Sequence, residues 1–346
     1  MTGATTWNEL ISQPEAWRAL LARLDDHSAL PKLALTDFDE VIMLGSGSSY
    51  YIALAAVDWV RRRHRIAARA VPSCEVVLDG HERLSAPGAR RLVVAFSRSG
   101  ESTELLWALK LMRGPGTTIL GVTCTAGSHL LELADTAFLV PEGHEDGLVM
   151  LRSFTSMLIA VQYLFGTSAD RSGLGQLPQA GRIVLDGSKD DLQELVKGQS
   201  FNRFVFLGSS SSYPAALEGS LKIQEMSLAT SEAYHTLEYR HGPNATADHW
   251  TLVTMFALPE VSHGLALAND LKALGVTLLV VGPGAEYYNR VADLTVPVSL
   301  GLSESAATSA TLLSVHLVAY HTALRLDQNP DTPVNLSKVV RLAIPA

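Results

Sequence analysis

The sequence predicts two tandem three-layer α/β/α domains, each with a mostly parallel sheet that helices cover on both faces. Two observations predict this: the segment from residue 38 recurs from residue 201, and short apolar runs alternate with helical segments in both halves. Hydrophobic residues make up 47% of the chain and charged residues 18%, a balance that favours large buried cores over disorder. A length of 346 residues suits two domains.

The internal repeat is the clearest sign of duplication. Residues 38–54 align without gaps with residues 201–217, and more than half of the aligned positions carry the same amino acid. The shared residues include the Gly-Ser and Ser-Ser-Tyr that follow an apolar run. The two halves share a second similarity. Leu-Ala-Asp at 133–135 and Val-Ala-Asp at 291–293 are each followed by an apolar run that ends in Pro.

Strands and helices are expected in alternation along each half. Short apolar runs that end in Gly or Ser are typical of buried parallel strands leading into turns. Strands are therefore predicted at 41–44, 92–96, 118–122 and 138–140, and at 204–207, 252–257, 277–281 and 294–296. Helices are predicted at 51–63, 103–113 and 130–133, and at 215–227, 263–274 and 305–326.

The domain boundaries follow from these elements. Residues 1–28 are expected to form an N-terminal helical segment, and residues 29–167 a first domain that carries a phosphate site. A linker at 168–198 opens rich in Gly and Ser and turns helical around 190–197. Residues 199–330 form a second domain with a catalytic helix, and the tail at 331–346 carries Lys338.

Charge and cysteine content exclude several classes of protein. With 27 Lys and Arg against 35 Asp and Glu, the net charge is −8, which argues against nucleic acid as a partner. Two cysteines without a CxxC indicate a reducing compartment and no zinc site. The N-terminus lacks the pattern of a signal peptide, and the most apolar window, 312–320, is short and contains His316. We expect a cytoplasmic protein that does not bind membranes.

Three Ser-rich loops follow predicted strands and enter helices, at 45–49, 97–103 and 208–212. Ligands of open parallel sheets lie beyond the carboxyl ends of the strands, where glycines, hydroxyls and helix N-termini suit an anion. Arg98 adds a positively charged guanidinium group, whose N–H donors match the geometry of phosphate oxygens. The alternative is that these serines only cap helices. Because the second half has no counterpart of the 97–103 loop, we expect one phosphate site, in the first half.

A charged helical face in the second half is the first candidate for chemistry. Glu218, Lys222 and Glu225 stand at i, i+4 and i+7 and share one face of a helix. The alternative is a solvated face with ion pairs. Apolar residues between them leave little polar surface, and the helix starts at a strand-end loop, so the face is expected to be confined. A carboxylate near a lysine in a cleft can be tuned for proton transfer.

Histidine and lysine supply two further candidates. Four histidines lie between 235 and 263, and composition does not rank them, although histidine transfers protons best near neutral pH. His241 alone precedes a Gly-Pro break, which places it at a helix end. Lys338 stands in the tail after Asn-Leu-Ser, and a lone lysine is ordinarily a surface residue.

Five motifs together resemble those of the sugar isomerase (SIS) domain family in its tandem form. They are Gly-Ser-Ser-Tyr at 47–50, Ser-Arg-Ser-Gly-Glu-Ser at 97–102, the helix at 216–225, Arg-His-Gly-Pro at 240–243 and Asn-Leu-Ser-Lys at 335–338. The chain is similar from about 7 to 341 to the isomerase half of glucosamine-6-phosphate synthase and to stand-alone amino-sugar-phosphate deaminases and isomerases. The serine loops alone indicate a sugar-phosphate-binding fold, whereas the last three motifs indicate the isomerase branch.

The resemblance implies roles for individual residues. The sugar phosphate would be bound by Ser48, Ser49, Ser97, Arg98, Ser99 and Ser102, with Arg98 standing where the family often has Gln. Glu225 would move a proton between C1 and C2, beside Lys222 and Glu218. His241 would act in ring opening and, as in the synthase, reach a neighbouring subunit's site, which implies a homodimer. Lys338 would form an imine with a ketose, and no metal or cofactor is implied.

The function that the resemblance implies is an amino-sugar-6-phosphate deaminase/isomerase acting on a hexose or hexosamine 6-phosphate. The chain begins Met-Thr, without the N-terminal cysteine of a glutaminase, so we expect no synthesis of glucosamine 6-phosphate from glutamine. The segment at 143–155 differs from that of the synthase, so the resemblance does not identify the sugar. The alternatives are a fructosamine-6-phosphate deglycase, a plain aldose–ketose isomerase, and a sugar-phosphate-sensing module, which has no use for Glu225, His241 and Lys338.

Overall fold

A computed structural model of the chain describes residues 2–80, 84, 88–298 and 300–342. These residues group into two compact units, each assembled from separate stretches of sequence. The first-half unit contains 15–146, 150–172 and 337–342, and the second-half unit contains 2–14, 147–149 and 173–336. The N-terminus thus groups with the second half, and the end of the tail groups with the first.

Two short helices open the chain, α1 (Ala4–Ile11) and α2 (Gln13–Asp25). The start of α1 is fixed within the second-half unit by Asp331, whose carboxylate accepts hydrogen bonds from Thr6 N and Thr6 Oγ1, both at 2.8 Å. A carboxylate at a helix N-terminus satisfies free N–H groups and favours the helix dipole.

The sheet of the first-half unit has five parallel strands in the order β2-β1-β3-β4-β5. The strands are β1 (Glu40–Gly45), β2 (Ala67–Pro72), β3 (Arg91–Phe96), β4 (Thr117–Thr123) and β5 (Thr136–Leu139). The helices that accompany them are α3 (Ser48–Arg63), α4 (Ser73–Asp79), α5 (Thr103–Met112), α6 (His129–Leu133), α7 (Arg152–Phe165) and α8 (Ser168–Leu174). Every second residue of β1 and of β3 packs against the apolar side of α5, and together they form a hydrophobic core.

The sheet of the second-half unit repeats this arrangement, in the order β10-β9-β8-β6-β7. Its strands are β6 (Arg203–Gly208), β7 (Thr230–His235), β8 (Thr251–Phe256), β9 (Thr277–Gly282) and β10 (Leu294–Pro297). Its helices are α9 (Leu177–Gly198), α10 (Tyr213–Ser227), α11 (Val261–Ala273) and α12 (Glu304–Arg325). In both sheets the first strand has the second on one side and the third on the other, which creates a topological switch point.

The predicted fold class is therefore confirmed, since both halves are parallel α/β units of the same topology. The predicted strands are all present with small changes at their ends, but β2 and β7 were not predicted. Both are edge strands, and their partly exposed sequences, AARAVP and TSEAYH, lack the continuous apolar run of the central strands.

Helix content also exceeds the prediction. The segment expected as a linker is helical along most of its length, as α8 and α9, so that the helix expected around 190–197 begins at Leu177. The described residues also include α4 and α7, which the sequence analysis did not identify. No helix within the described ranges has the length and apolar character needed to cross a membrane.

Candidate functional site

Two helix N-termini lie at the switch point of the first-half sheet. Strands β1 and β3 are adjacent and parallel, so the turns that follow them both lie at the carboxyl edge. Helix α3 begins at Ser48, and both Ser48 and Ser49 are buried in its first turn. Helix α5 begins at Thr103, directly after the loop at 97–102. This edge offers N–H groups and hydroxyls, which suit an anion.

Serine side chains shape the 97–102 loop. Ser97 Oγ accepts a hydrogen bond from Gly100 N at 3.0 Å, and Ser99 Oγ accepts one from Glu101 N at 3.2 Å. Gly100 has a positive φ of 68°, and a Cβ there would lie 2.5 Å from the Cβ of Ser128, so only glycine fits. Both hydroxyls organise the loop backbone, yet each keeps its proton to donate to a ligand. Ser102, at the N-cap of α5, makes no side-chain capping hydrogen bond.

Arg98 is buried and paired. Its Nη1 lies 3.5 Å from Glu145 Oε2, and its Nη2 donates to the backbone carbonyl of Lys338 at 3.0 Å. Its own carbonyl accepts from the hydroxyls of Thr123 and Thr125, both at 3.1 Å. Arg98 was expected to offer its charge to a phosphate, whereas in this structure Glu145 faces that charge.

Glu145 is a residue that sequence analysis missed. Its carboxylate, with a fully buried side chain, accepts hydrogen bonds from Leu151 N at 2.7 Å, Ser153 N at 3.1 Å and Ser153 Oγ at 2.5 Å. The segment at 143–155 was noted as unusual, but no sequence signal separates Glu145 from the acidic residues near it. Only its burial against Arg98 does so.

The tail docks against the first-half unit beside the start of α5. Lys338 Nζ donates to the backbone carbonyls of Glu145 at 2.5 Å and Asp146 at 3.2 Å. Thr103 N donates to Val340 O at 3.3 Å, and Leu342 N donates to Thr103 Oγ1 at 3.1 Å. The first-half unit therefore brings together the phosphate loop candidates and the tail lysine.

The charged face of α10 lies in the second-half unit and is confined. Glu218 and Lys222 are fully buried, and Lys222 Nζ lies 3.2 Å from Glu218 Oε1. Lys222 Nζ also donates a short hydrogen bond to Glu225 Oε2, whose side chain is 17% exposed. Burial acts to lower the pKa of Lys222, but the two carboxylates outweigh it and raise that pKa above its ordinary value. Lys222 is thus an ammonium ion, and Glu225 is the member that solvent reaches.

Tight packing holds this face in place. Gly219 lies where a Cβ would come within 2.7 Å of Phe206 on β6 and of Val315 on α12. Next to Val315, His316 is fully buried, and Gln13 Nε2 lies 3.2 Å from its Nδ1. Burial, with a contribution from the charge of Lys222, lowers the pKa of His316 to about 3. A neutral histidine therefore stands behind the charged face.

His241 lies in the same unit, after a 3-10 turn at Thr236–Arg240 rather than after an α-helix. Its N–H donates to Glu238 O at 2.9 Å, and its side chain is exposed. Gly242 follows with a φ of 123°, a conformation that favours glycine. The break that singled out His241 in the sequence therefore coincides with the end of the 3-10 turn.

The repeated serine loop of the second half is closed by its own hydrogen bonds and borders a small cavity. Ser212 Oγ donates to Ser209 O at 2.8 Å and accepts from Ser209 N at 3.0 Å. The cavity beyond β6, β8 and β9, lined by Ser212, Gly282 and Thr308 among others, has a volume of about 10 Å³, enough for roughly one water. These serines cap a turn.

Comparison with known proteins gives consistent results across most of the chain. The model of the SIS domain matches residues 34–166 and 199–284. The glutamine–fructose-6-phosphate aminotransferase (isomerizing) of Pyrococcus horikoshii is 26% identical over 96% of this chain and 56% of that protein. The enzyme of the same name from Acidithiobacillus ferridurans is 32% identical over 88% of this chain and 52% of that protein. The chain spans about half the length of these curated relatives.

Solved structures resemble nearly the whole chain. The crystal structure of glucosamine-6-phosphate deaminase from Thermotoga maritima has a TM-score of 0.80 and 27% identity, and covers 98% of this chain and 100% of its own. The tagatose-6-phosphate ketose/aldose isomerase from Escherichia coli has a TM-score of 0.86 and 23% identity, and covers 96% of this chain and 97% of its own. The second similarity is one of fold.

Proposed function

The chain belongs to the SIS domain family, and from that membership we propose that it is an enzyme acting on sugar phosphates, specifically an amino-sugar-6-phosphate deaminase/isomerase. The observation that carries this proposal is the face of Glu218, Lys222 and Glu225. Two of its three charges are fully buried, and the third is a carboxylate that solvent reaches. A module that only binds a sugar phosphate gains nothing from such an arrangement, whereas a proton-transfer enzyme needs a held carboxylate.

The phosphate of the substrate would bind at the 97–102 loop and at the start of α3. The expected donors are the hydroxyls of Ser48, Ser49, Ser97, Ser99 and Ser102, together with N–H groups at the two helix N-termini. The charge of Arg98 faces Glu145, and Arg98 would become a further donor when its guanidinium turns to the phosphate.

The proton transfer is assigned to Glu225. After His241 assists opening of the ring, Glu225 would take the proton from C2 of the amino aldose and return it to C1 through an enolamine. Water would then add to the resulting imine at C2, and ammonia would leave to give the ketose 6-phosphate. Lys222 would hold the carboxylate of Glu225 in place through their hydrogen bond. In the reverse direction, Lys338 as a free amine would add to the ketose carbonyl.

We also propose that the enzyme works as a homodimer in which His241 serves the partner's site. The exposure of His241 in the single chain supports this assignment, because a catalytic imidazole works in a site that excludes water, and a partner chain would supply that cover. Glu225, in contrast, is largely covered within its own chain.

An ammonia assay with glucosamine 6-phosphate tests the proposal. We expect ammonia and fructose 6-phosphate in equal amounts from the wild-type protein, and at least a hundredfold slower release from Glu225→Gln. Glu194→Gln makes the same change on the exposed side of α9 and should keep full activity. Amine release from fructoselysine 6-phosphate without ammonia from glucosamine 6-phosphate would instead identify a deglycase. Binding without turnover of either substrate would identify a sensing module.

A further inference from the structure

A closed circuit of polar contacts links three residues of the first-half unit that are distant in sequence. The carboxylate of Glu145 faces Arg98 Nη1 at 3.5 Å, and Arg98 Nη2 donates to Lys338 O at 3.0 Å. Lys338 Nζ then donates back to Glu145 O at 2.5 Å. The circuit therefore joins the candidate phosphate loop, the segment after β5 and the tail.

The carboxylate of Glu145 is held in place by hydrogen bonds from outside this circuit. Two backbone N–H groups and one hydroxyl, from Leu151 and Ser153, donate to its carboxylate. Arg98 is held in turn, since its backbone carbonyl accepts from two threonine hydroxyls and its side chain is only 8% exposed. The tail is the remaining member, and it joins through the main chain and the side chain of Lys338.

The circuit keeps the amino group of Lys338 engaged with the protein. Its Nζ donates to two backbone carbonyls, of Glu145 and Asp146. An amine must present its lone pair to a carbonyl carbon in order to attack it. Lys338 must therefore leave these two carbonyls before it can react with a bound sugar.

We propose that Glu145, acting through Arg98, is a positioning residue that holds Lys338 in this docked, unreactive state, and that an anion bound in the 97–102 loop releases it. The inference rests on the proposed function, which supplies the phosphate and the use of Lys338. A phosphate near this loop and the carboxylate of Glu145 are alternative acceptors for one guanidinium. Binding that draws Arg98 away from Glu145 also removes the donor that fixes the tail carbonyl, so the two events are coupled.

Competitive acetylation of lysines, with the products located by peptide mass spectrometry, measures this state without turnover. Lys110 is exposed on α5 in the same unit and serves as the internal reference. In wild-type protein, Lys338 should react several-fold more slowly than Lys110. In Arg98→Gln and in Glu145→Gln, Lys338 should reach the rate of Lys110. Arg113→Gln removes an exposed arginine that pairs with Asp135 and should leave Lys338 unchanged.

A second readout in the same samples reports whether the variants keep their local fold. Cys124 is buried, its N–H donates to Arg98 O, and burial raises the pKa of its thiol. It should resist iodoacetamide in folded protein, whereas Cys74 is exposed and should react. Faster labelling of Lys338 with Cys124 still protected supports the proposal, and unchanged labelling of Lys338 in both variants overturns it.

Inorganic phosphate, added to the unaltered wild-type protein, tests the coupling without any substitution. Phosphate should speed acetylation of Lys338 while Cys124 stays protected, and sodium chloride at equal ionic strength should not. Calorimetry shows whether phosphate binds at all, and so separates a failure of the coupling from a failure of the proposed phosphate site. Phosphate that binds without changing Lys338 overturns the coupling, whereas phosphate that does not bind counts against the proposed phosphate site and leaves the variants to decide the role of Glu145.

Discussion

Lys222 Nζ lies 3.2 Å from the Oε1 atom of Glu218, one turn earlier on α10, and both side chains are fully buried. Burying two charges costs several kcal/mol per ion, which their attraction often fails to repay, so a buried ion pair is weak evidence for stability. We infer that this pair holds the side chain of Glu225 in position, because Lys222 Nζ contacts the carboxylates of both Glu218 and Glu225.

Removing Lys222 should destabilise the protein strongly. Lys222→Met leaves two carboxylates without their shared ammonium, and breaking a buried pair typically costs about 3–5 kcal/mol. Urea unfolding should show this loss, whereas Lys197→Met, at an exposed position on α9, should change stability by less than about 0.5 kcal/mol. A Lys222→Met protein as stable as the wild type would contradict the packing described for α10.

His316 should make stability depend on pH. Its pKa is about 3 in the folded protein, against 6.5 ordinarily. Between these values the unfolded chain binds a proton that the folded protein excludes, so the free energy of unfolding falls as the pH is lowered. The contribution of His316 to this loss should be about 1.4 kcal/mol between roughly pH 7.5 and pH 5.5.

Substitution isolates this contribution. His316→Asn, which keeps a polar group near Gln13, should flatten the pH dependence by that amount in urea unfolding at the two pH values. His263→Asn changes an exposed histidine on α11 and should leave the slope as in the wild type. Equal slopes for His316→Asn and the wild type would mean that His316 already protonates in the folded state.

The internal repeat supplies a matched test of the phosphate site. Ser49 and Ser212 occupy equivalent positions in the two copies of the repeat. Loss of a hydrogen bond to a charged group costs about 1.5–3 kcal/mol, so Ser49→Ala should weaken binding of fructose 6-phosphate at least tenfold. Ser212→Ala should leave the affinity unchanged in the same calorimetric titration. Equal losses in both variants would contradict a single site in the first half.

Much of the fold was predictable because the signals are local. The repeat at 38–54 and 201–217 and the apolar runs identified the central strands of both sheets. The edge strands β2 and β7 escaped because one side of an edge strand can face solvent, so each has a mixed sequence. Their assignment depends on the strand beside them, which periodicity alone does not reveal.

The candidate site was predictable in part, for a related reason. Glu218, Lys222 and Glu225 share a helix face through spacing alone, and the serine loops follow strand ends. Lys338 contacts Glu145, and Arg98 contacts both of these residues, although the three positions are widely separated in the sequence. Such long-range pairs leave no local pattern, so the tail appeared in the sequence only as a lone lysine.

Hybrid dimers should test the sharing of His241. Glu225→Gln and His241→Ala proteins, each inactive, are mixed under conditions where exchange of tagged subunits is verified. If His241 serves the partner's site, the hybrid contains one site with both wild-type residues and recovers activity. The mixture should then reach up to about a quarter of wild-type activity per subunit when exchange is statistical. No recovery after verified exchange would place His241 in the site of its own chain, or outside any site.

Deuterium exchange is the most direct measurement of the central claim, that Glu225 moves a proton between C1 and C2 of a bound sugar phosphate. The protein is incubated with glucosamine 6-phosphate or fructose 6-phosphate in D₂O, and the sugar is followed by proton NMR. We predict that the wild-type protein exchanges hydrogen at C2 of the aldose and C1 of the ketose, and that Glu225→Gln binds the sugar but loses exchange by at least about a hundredfold. Exchange at the wild-type rate in Glu225→Gln would contradict the account.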